Sequence, residues 1–419
     1  MNYLTQDLLN ELCSCGNSVH RNIWARFLGD DCIMHDYAGL NGEVILPTAD
    51  ECRMNKPNAL AWWTPIENGG FFNGDYLLGL LAGYKLNQNE RLRSEIRRLA
   101  SGLYRLQDIC SVDGCIARGI GSDGECHYPA SSNDQVFPWL LALWLYSETN
   151  IPEPSERREC RKRLLRELRA LQVNKWIIPG DLPGFERGSF LCETTDLECR
   201  LSSVHITAAT LILAELEDAS AQALHLSHLN AVLKNGKSRK EFLAEGFPEL
   251  ADWHCWFTSH SVYALRELCR RSDDPELKRV YRNALSVTGK AASAFISRWN
   301  DFKTGAFFTP DWRIMLSGWK EQHSCREAVD CAAQELKIWS KASPAIAQEK
   351  RSVMVSLSAS WIVMLSDDRE LIENSLPEIA AAVRALDYDK LHYAAFFYAE
   401  NVVHEIMHFS LNSDKKSQE

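Results

Sequence analysis

The sequence predicts an all-α protein: an (α/α)6 toroid of helical hairpins with its long loops on one face. Three observations carry this. Apolar residues recur at helical spacing along most of the 419 residues. No run of alternating strand residues stands between them. The connections alternate between turns of a few residues and loops of roughly 20–30 residues, a length compact domains seldom keep without a use for it. If successive hairpins pack side by side and close on themselves, every long loop emerges on one face. The first helix of each pair then lines the interior, and its charged partner faces solvent.

The elements follow in order. A helix over residues 4–13 is expected against the seam of the ring. Over 73–84, Tyr76, Leu77, Leu80, Leu81 and Tyr84 share one helix face. Asn87-Gln88-Asn89 breaks it, and a second helix over 90–108 places Leu92, Ile96, Leu99, Leu103 and Leu106 opposite Arg91, Arg93, Arg97, Arg98 and Arg105. The pattern recurs over 134–147 and 156–171, joined by Pro152 and Pro154. It recurs over 202–216 and on to 233, then over 254–270 and on to 299 past Asp273-Asp274-Pro275. Further helices are predicted over 321–341, 344–365, 369–386 and 391–409. The long loops fall at 109–133, 174–201 and 235–253. No composition shift marks a domain boundary, so residues 1–419 read as one domain, with 1–60 an N-terminal extension and 410–419 a frayed tail.

Composition narrows the function. Lys and Arg number 46 against 56 Asp and Glu, a net charge of −10. That balance argues against nucleic acid as the main partner. No stretch approaches the ~20 apolar residues a bilayer demands; the longest candidates are 137–146 and 360–365. The N-terminus lacks the basic start and apolar core of a secretory signal. The expectation is a cytoplasmic protein with no membrane partner. The 14 cysteines contain no Cys-x-x-Cys pair, and they read as reduced, buried, small apolar residues. No cofactor and no metal is expected. Thirteen Trp, 12 Tyr and 16 Phe make 10% of the chain. Either a large core takes them or a sugar cleft does, since flat apolar sugar faces stack on aromatic rings.

The long loops gather the unusual residues. Trp62, Trp63, Glu67, Asn68 and Asp75 precede or open one inner helix. Arg118, His127, Tyr128 and Asp134 occupy the next loop. Phe185, Glu186, Arg187, Glu193, Asp196 and His205 follow, then Trp253, His254, Trp256 and His260. Asp311, Trp312, Arg313, Trp319, Glu321 and His323 close the series. Glycoside hydrolysis needs this inventory: one carboxyl protonates the leaving oxygen, another activates water or attacks. Asn or Arg grips hydroxyls or a carboxylate.

Asp134 opens a helix, where the dipole lowers a carboxyl pKa and suits it to be base or nucleophile. Ser132-x-x-Gln135 also matches a capping box, which gives Asp134 a purely structural alternative. Glu67, before Gly69-Gly70 and after Pro65-Ile66, and Asp75 at a helix start are the candidate partner acids. Asn68, Arg118, His127, Tyr128, Trp253, His254 and Trp256 are the candidate sugar-binding residues. His205 and His260 lie on apolar helix faces and read as core histidines. His404-Glu405-Ile406-Met407-His408 matches the zinc-protease pattern. No histidine follows it to serve as third ligand, so it stands as the weaker reading.

The segment 67–146 resembles six-hairpin glycosidase-like proteins of bacteria, through Glu67-Asn-Gly-Gly, Gly74-Asp-Tyr-Leu, Gly102-Leu-Tyr-Arg-Leu-Gln, Ala117-Arg-Gly and Tyr128-Pro-Ala-Ser-Ser-Asn-Asp-Gln. The resemblance covers about a fifth of the chain and implies the same toroid with a carbohydrate site at the loop face. Relatives include unsaturated glucuronyl hydrolases, which use an Asp at the start of an inner helix, the placement of Asp134. The expected function is a carbohydrate-active enzyme, a glycoside hydrolase acting on a saccharide. A lyase or sugar epimerase on the same fold and a non-catalytic glycan- or protein-binding scaffold are the alternatives.

Overall fold

The computed structural model describes residues 3–192, 197–217 and 219–416. Among them the chain is all helical, and β structure is limited to isolated bridges such as Leu28 with Met34. In chain order the helices are α1 Gln6–Asn22, α2 Ala49–Arg53, α3 Gly69–Leu86, α4 Glu90–Asp108, α5 Asn133–Glu148, α6 Pro154–Val173, α7 Leu197–Leu216 and α8 Ala219–Asn230. There follow α9 Arg239–Ala244, α10 Cys255–Arg271, α11 Pro275–Ser293, α12 Cys325–Ala342, α13 Pro344–Glu349, α14 Val355–Leu365, α15 Arg369–Arg384 and α16 Tyr398–Lys416.

Two kinds of helix alternate. In α3, every residue from Gly69 to Tyr84 is buried, and in α14 every residue is. A helix apolar all round has no solvent face to offer and belongs inside. By contrast α4 buries Ile96, Leu99, Leu103 and Leu106 and turns its arginines outward, where Arg97 meets Glu156 of α6 at 2.6 Å. The pairs are α3 with α4, α5 with α6, α7 with α8, α10 with α11, α14 with α15, and α16 with α1. Among the buried members, α3 packs on α5 and α16, α10 on α7 and α14, α5 on α7, and α14 on α16.

Glycine allows the closest of these approaches. A Cβ on Gly74 would lie 2.7–2.8 Å from Pro138, backbone included, so α3 and α5 meet at a point where no side chain fits. Pro138 sits inside α5, where it lacks the amide hydrogen a helix interior normally uses. On the other side of α3, Gly79 and Gly83 admit Asn401 and His404 of α16.

Several boundaries differ from expectation. The first helix runs to Asn22 rather than 13 and packs on α16 and α15. The predicted loop over 235–253 contains α9, opened by a capping box between Ser238 and Glu241 that a loop reading passes over. The stretch 344–365 is one helical run with a wide turn over Lys350–Met354. The last helix begins at Tyr398 and continues through the expected tail to Lys416. α7 is long and apolar enough to cross a bilayer by composition, which the sequence reading missed; most of it is buried against the other helices.

Candidate functional site

Two cavities of about 810 and 990 Å³ adjoin one another. Trp62, Asp134, Trp253 and Trp256 line both. The smaller is completed by Arg118, Arg187, His205, His254 and His260, among others. The larger takes Trp63, Glu67, Asn68, Lys350 and Tyr393. Their sizes match sites for small organic ligands.

Asp134 lies in the first turn of α5, but not as part of a capping box. The Ser132 side chain caps no backbone amide; Arg118 donates to its Oγ at 2.6 Å instead. The Gln135 side chain turns inward, donating to Asn68 Oδ1 at 3.2 Å and accepting from the Phe71 amide at 3.2 Å. Burial alone would raise the Asp134 carboxyl pKa. The Arg118 charge, a hydrogen bond from Ser132 and the Arg187 charge outweigh it and hold the group below its ordinary value. Asp134 is thus a poised carboxylate, open to both cavities.

A second set of carboxyls forms the wall of the larger cavity. Glu67 accepts from the Trp63 amide at 2.8 Å, and Lys350 stands 3.7 Å away. Behind it Asp36, fully buried, accepts from the Asn68 amide at 2.8 Å and from its side chain at 2.6 Å. Burial and then the nearby Glu67 charge push the Asp36 carboxyl well above its usual range. With its charge so disfavoured, the Asp36 carboxyl favours its protonated form. Asn68 and Gln135 link this wall to Asp134 by hydrogen bonds, the last one Gln135 Nε2 to Asp134 Oδ2 at 3.4 Å.

The histidines of the smaller cavity are the third feature. His205 and His260 are both buried, their ring centroids 5.9 Å apart. His260 Nδ1 stands 3.6 Å from Asp75 Oδ1, and neither atom has a hydrogen-bond partner. His205 Nδ1 is likewise unpartnered. Burial first, and then His260, hold the His205 pKa well below its usual value, so His205 is a neutral imidazole.

The structure therefore sorts the expected residues. Asp134, Glu67, Asn68, Arg118, Trp253, His254 and Trp256 line the cavities. Asp75 does not: it is fully buried behind His260, accepting from Tyr398 at 2.8 Å and Ser259 at 3.0 Å, because α3 continues through it. His127 is paired with Asp181 at 3.0 Å, away from both cavities. Tyr128 is buried and donates to the Lys56 carbonyl. In the loop over 309–323, Arg313 is engaged by Glu51 and Trp312 donates to the Ile45 carbonyl; neither lines a cavity. Glu193 and Asp196 lie outside the described residues. Trp139 and Trp144 are core residues, their ring nitrogens bound to the Leu103 carbonyl and Glu215.

The zinc-protease pattern is accounted for otherwise. His404 and His408 donate to the Gly79 and Ala82 carbonyls at 2.9 Å, and Glu405 forms a buried two-pronged pair with Arg266 at 2.7 Å each. One ring nitrogen of each imidazole is bound to a backbone carbonyl of α3 and the glutamate to a guanidinium of α10, so the three side chains tie α16 to those helices.

Sequence reasoning missed Asp36, Lys350 and Tyr393, placed Arg187 among the loop residues without giving it a role, and assigned His205 and His260 to the core. Asp36 carries no local motif. Arg187 could have been found by the charge logic applied to Arg118, since both are arginines beside glycine in long loops. The two histidines are indeed buried, but in a wall rather than within solid packing. Comparison with family models, curated proteins and solved structures finds no match.

Proposed function

We propose that the chain is a carbohydrate-active enzyme, a glycoside hydrolase whose site is the pair of adjoining cavities, built on an (α/α)6 toroid. The ring reading is supported by the order of packing, in which α3, α5, α7, α10, α14 and α16 each touch the next and α16 touches α3. Each carries an outer partner, with α1 serving α16.

One observation carries the chemistry: two arginines hold Asp134 ionised on a cavity that Glu67 also lines, with the buried Asp36 carboxyl, which favours its protonated form, behind Glu67. Carboxyl groups whose environments push their pKa values apart divide the work of base and acid. Asp134 activates water or attacks. Glu67, the member of the pair that reaches the cavity, protonates the leaving oxygen. Trp62, Trp253 and Trp256 present indoles to both cavities, and Arg118 and Arg187 bind hydroxyls or a carboxylate.

A second reading has its own support. His260 backed by Asp75, with His205 beside it, is an arrangement for moving a proton on and off carbon, the step of an epimerase or lyase.

The test is a screen against aryl-glycosides, uronate-containing oligosaccharides and free sugars, read by product mass in heavy water, with Asp134→Asn and His260→Gln alongside. Hydrolysis adds water to the product, elimination leaves an unsaturated one, and epimerisation changes only one carbon-bound hydrogen to deuterium. Hydrolysis lost roughly a hundred- to ten-thousand-fold in folded Asp134→Asn supports the first reading. Deuterium uptake lost in His260→Gln transfers the function to the second. Absence of turnover with unchanged glycan binding in Asp134→Asn leaves a binding scaffold.

A further inference from the structure

Outside the cavities, one cluster of ligand-type side chains has no part in the proposed chemistry. Cys110 follows α4, His127 comes from the loop before α5, and Asp181 from the loop after α6. The Cys110 sulfur, a His127 ring nitrogen and an Asp181 oxygen all lie within 4.8 Å of one another. We propose that Cys110, His127 and Asp181 form a zinc site that clamps these two loops together.

The donor set fits the ion. Zinc takes thiolate, imidazole and carboxylate ligands, and one soft sulfur with a nitrogen and an oxygen excludes calcium and magnesium, which want oxygen alone. Tetrahedral bonds of about 2.0–2.3 Å separate neighbouring ligand atoms by about 3.3–3.6 Å. His127 Nε2 and Asp181 Oδ2 are 3.0 Å apart, so they need open only by a few tenths of an ångström. The sulfur, now directed at the Leu106 carbonyl at 3.6 Å, swings by rotation about its side-chain bond.

The surroundings are already built to orient the ligands. Asp181 Oδ1 accepts from the Ser111 amide at 2.6 Å, the Ser111 hydroxyl at 2.9 Å and the Val112 amide at 3.0 Å. That leaves Oδ2, the oxygen on His127, as the one to meet a metal. Such supporting bonds are what fixes a ligand's direction in metal sites. The Cys115 thiol touches the Cys110 thiol, so a second sulfur stands beside the first. All three ligands are only partly buried, which leaves an entry path.

The position gives the ion a purpose. Arg118 lies on the same loop as His127, and Arg187 on the same loop as Asp181, and both arginines act on Asp134. A zinc bridge between the loops would fix the spacing of the two guanidinium groups.

The full-length protein, reduced and stripped with chelator, is titrated with zinc and separately with cobalt(II). The expected result is one bound equivalent, a near-ultraviolet thiolate-to-cobalt charge-transfer band, and a raised Tm. Cys110→Ser should remove the band and weaken zinc binding at least a hundredfold, and Asp181→Asn should weaken it at least tenfold. Both variants should retain the wild-type helical circular dichroism without metal, which separates lost binding from lost folding. A wild-type protein without the cobalt band, or a band that persists in Cys110→Ser, overturns the site.

Discussion

The Arg266–Glu405 pair offers the sharpest test of how the interior is held. Arg266 is on α10 and Glu405 on α16, two helices separated by α14. The guanidinium meets both carboxylate oxygens at 2.7 Å, with 2% and 7% of the two residues exposed. Burial disfavours both charges, and their mutual attraction outweighs it: Arg266 is held more basic and Glu405 more acidic than usual. Removing one partner strands the other charge, so Arg266→Met should cost about 3–5 kcal/mol, and Glu405→Leu the same. If the two costs were independent, the double variant would lose about 6–10 kcal/mol. It should instead lie near wild type or above it, because Met and Leu fill the space and no charge remains to desolvate. It also removes Arg266 Nε, a buried donor with no acceptor. Urea denaturation followed by far-ultraviolet circular dichroism gives the comparison, and zinc content is measured on each variant. A single-variant cost below about 1 kcal/mol would refute the burial argument. Zinc lost on His408→Gln but kept on Cys110→Ser would return the sequence His404–His408 to the metal-site reading.

Three further outcomes follow from the same structure. His20 lies between Glu400 at 3.0 Å and Glu95 at 3.2 Å; burial opposes its charge, but the two carboxylates raise its pKa to about 9. The raised folded value means its stabilisation, about 3 kcal/mol, is complete below the unfolded value near 6.5 and lost as pH rises to about 9. Wild type should thus lose its advantage over His20→Gln between those pH values in parallel denaturation curves, and a difference independent of pH would contradict this. Gly74→Ala should destabilise by about 1–3 kcal/mol, since the new methyl meets the backbone of Pro138, and an unchanged Tm would show that α3 and α5 can separate. Trp253, 61% exposed at the cavity mouth, should be replaceable by Ala within about 0.5 kcal/mol of stability. The same change should weaken saccharide binding roughly two- to tenfold by calorimetry, and equal affinity would remove Trp253 from the site.

The helical fold was legible because its signal is periodic and local. The boundaries of α4 agree to the residue, since Asn89 caps the helix with its side chain and Asp108 ends an unbroken apolar stripe. The site was legible only where a residue's neighbours in sequence are also its neighbours in space. Glu67, Asn68 and Asp134 stand at helix starts that a loop must precede, and those starts line the cavities. Asp36 was invisible because what marks it, burial beside Glu67 and hydrogen bonds from Asn68, comes from residues 31 and 32 positions away. His127 misled for the converse reason: its loop belongs to the site, yet its own partner is Asp181 on another loop. Gly69 and Gly70 allow neighbouring backbone to approach the start of α3 closely. A Cβ at Gly69 would stand 2.5 Å from the Arg118 carbonyl.

The location of the cavities follows from the direction of the helices. Asn68 caps α3, Asn133 and Asp134 open α5, Leu197 to His205 open α7, and Trp256 to His260 open α10. Four buried helices therefore present their N-terminal ends, each with a partial positive charge, to one space. Arg118, Arg187 and Lys350 add positive charge to this space within a chain whose net charge is −10. An isolated carboxyl there ionises, as Asp134 does. Keeping a proton in the same field takes a stronger device, and Asp36 has it in its burial and in the like charge of Glu67. The division between an ionised Asp134 and a protonated Asp36 thus arises from the shared polarity of the helices and one local exception to it. A ligand rich in oxygen, neutral or anionic, is what such a space would hold.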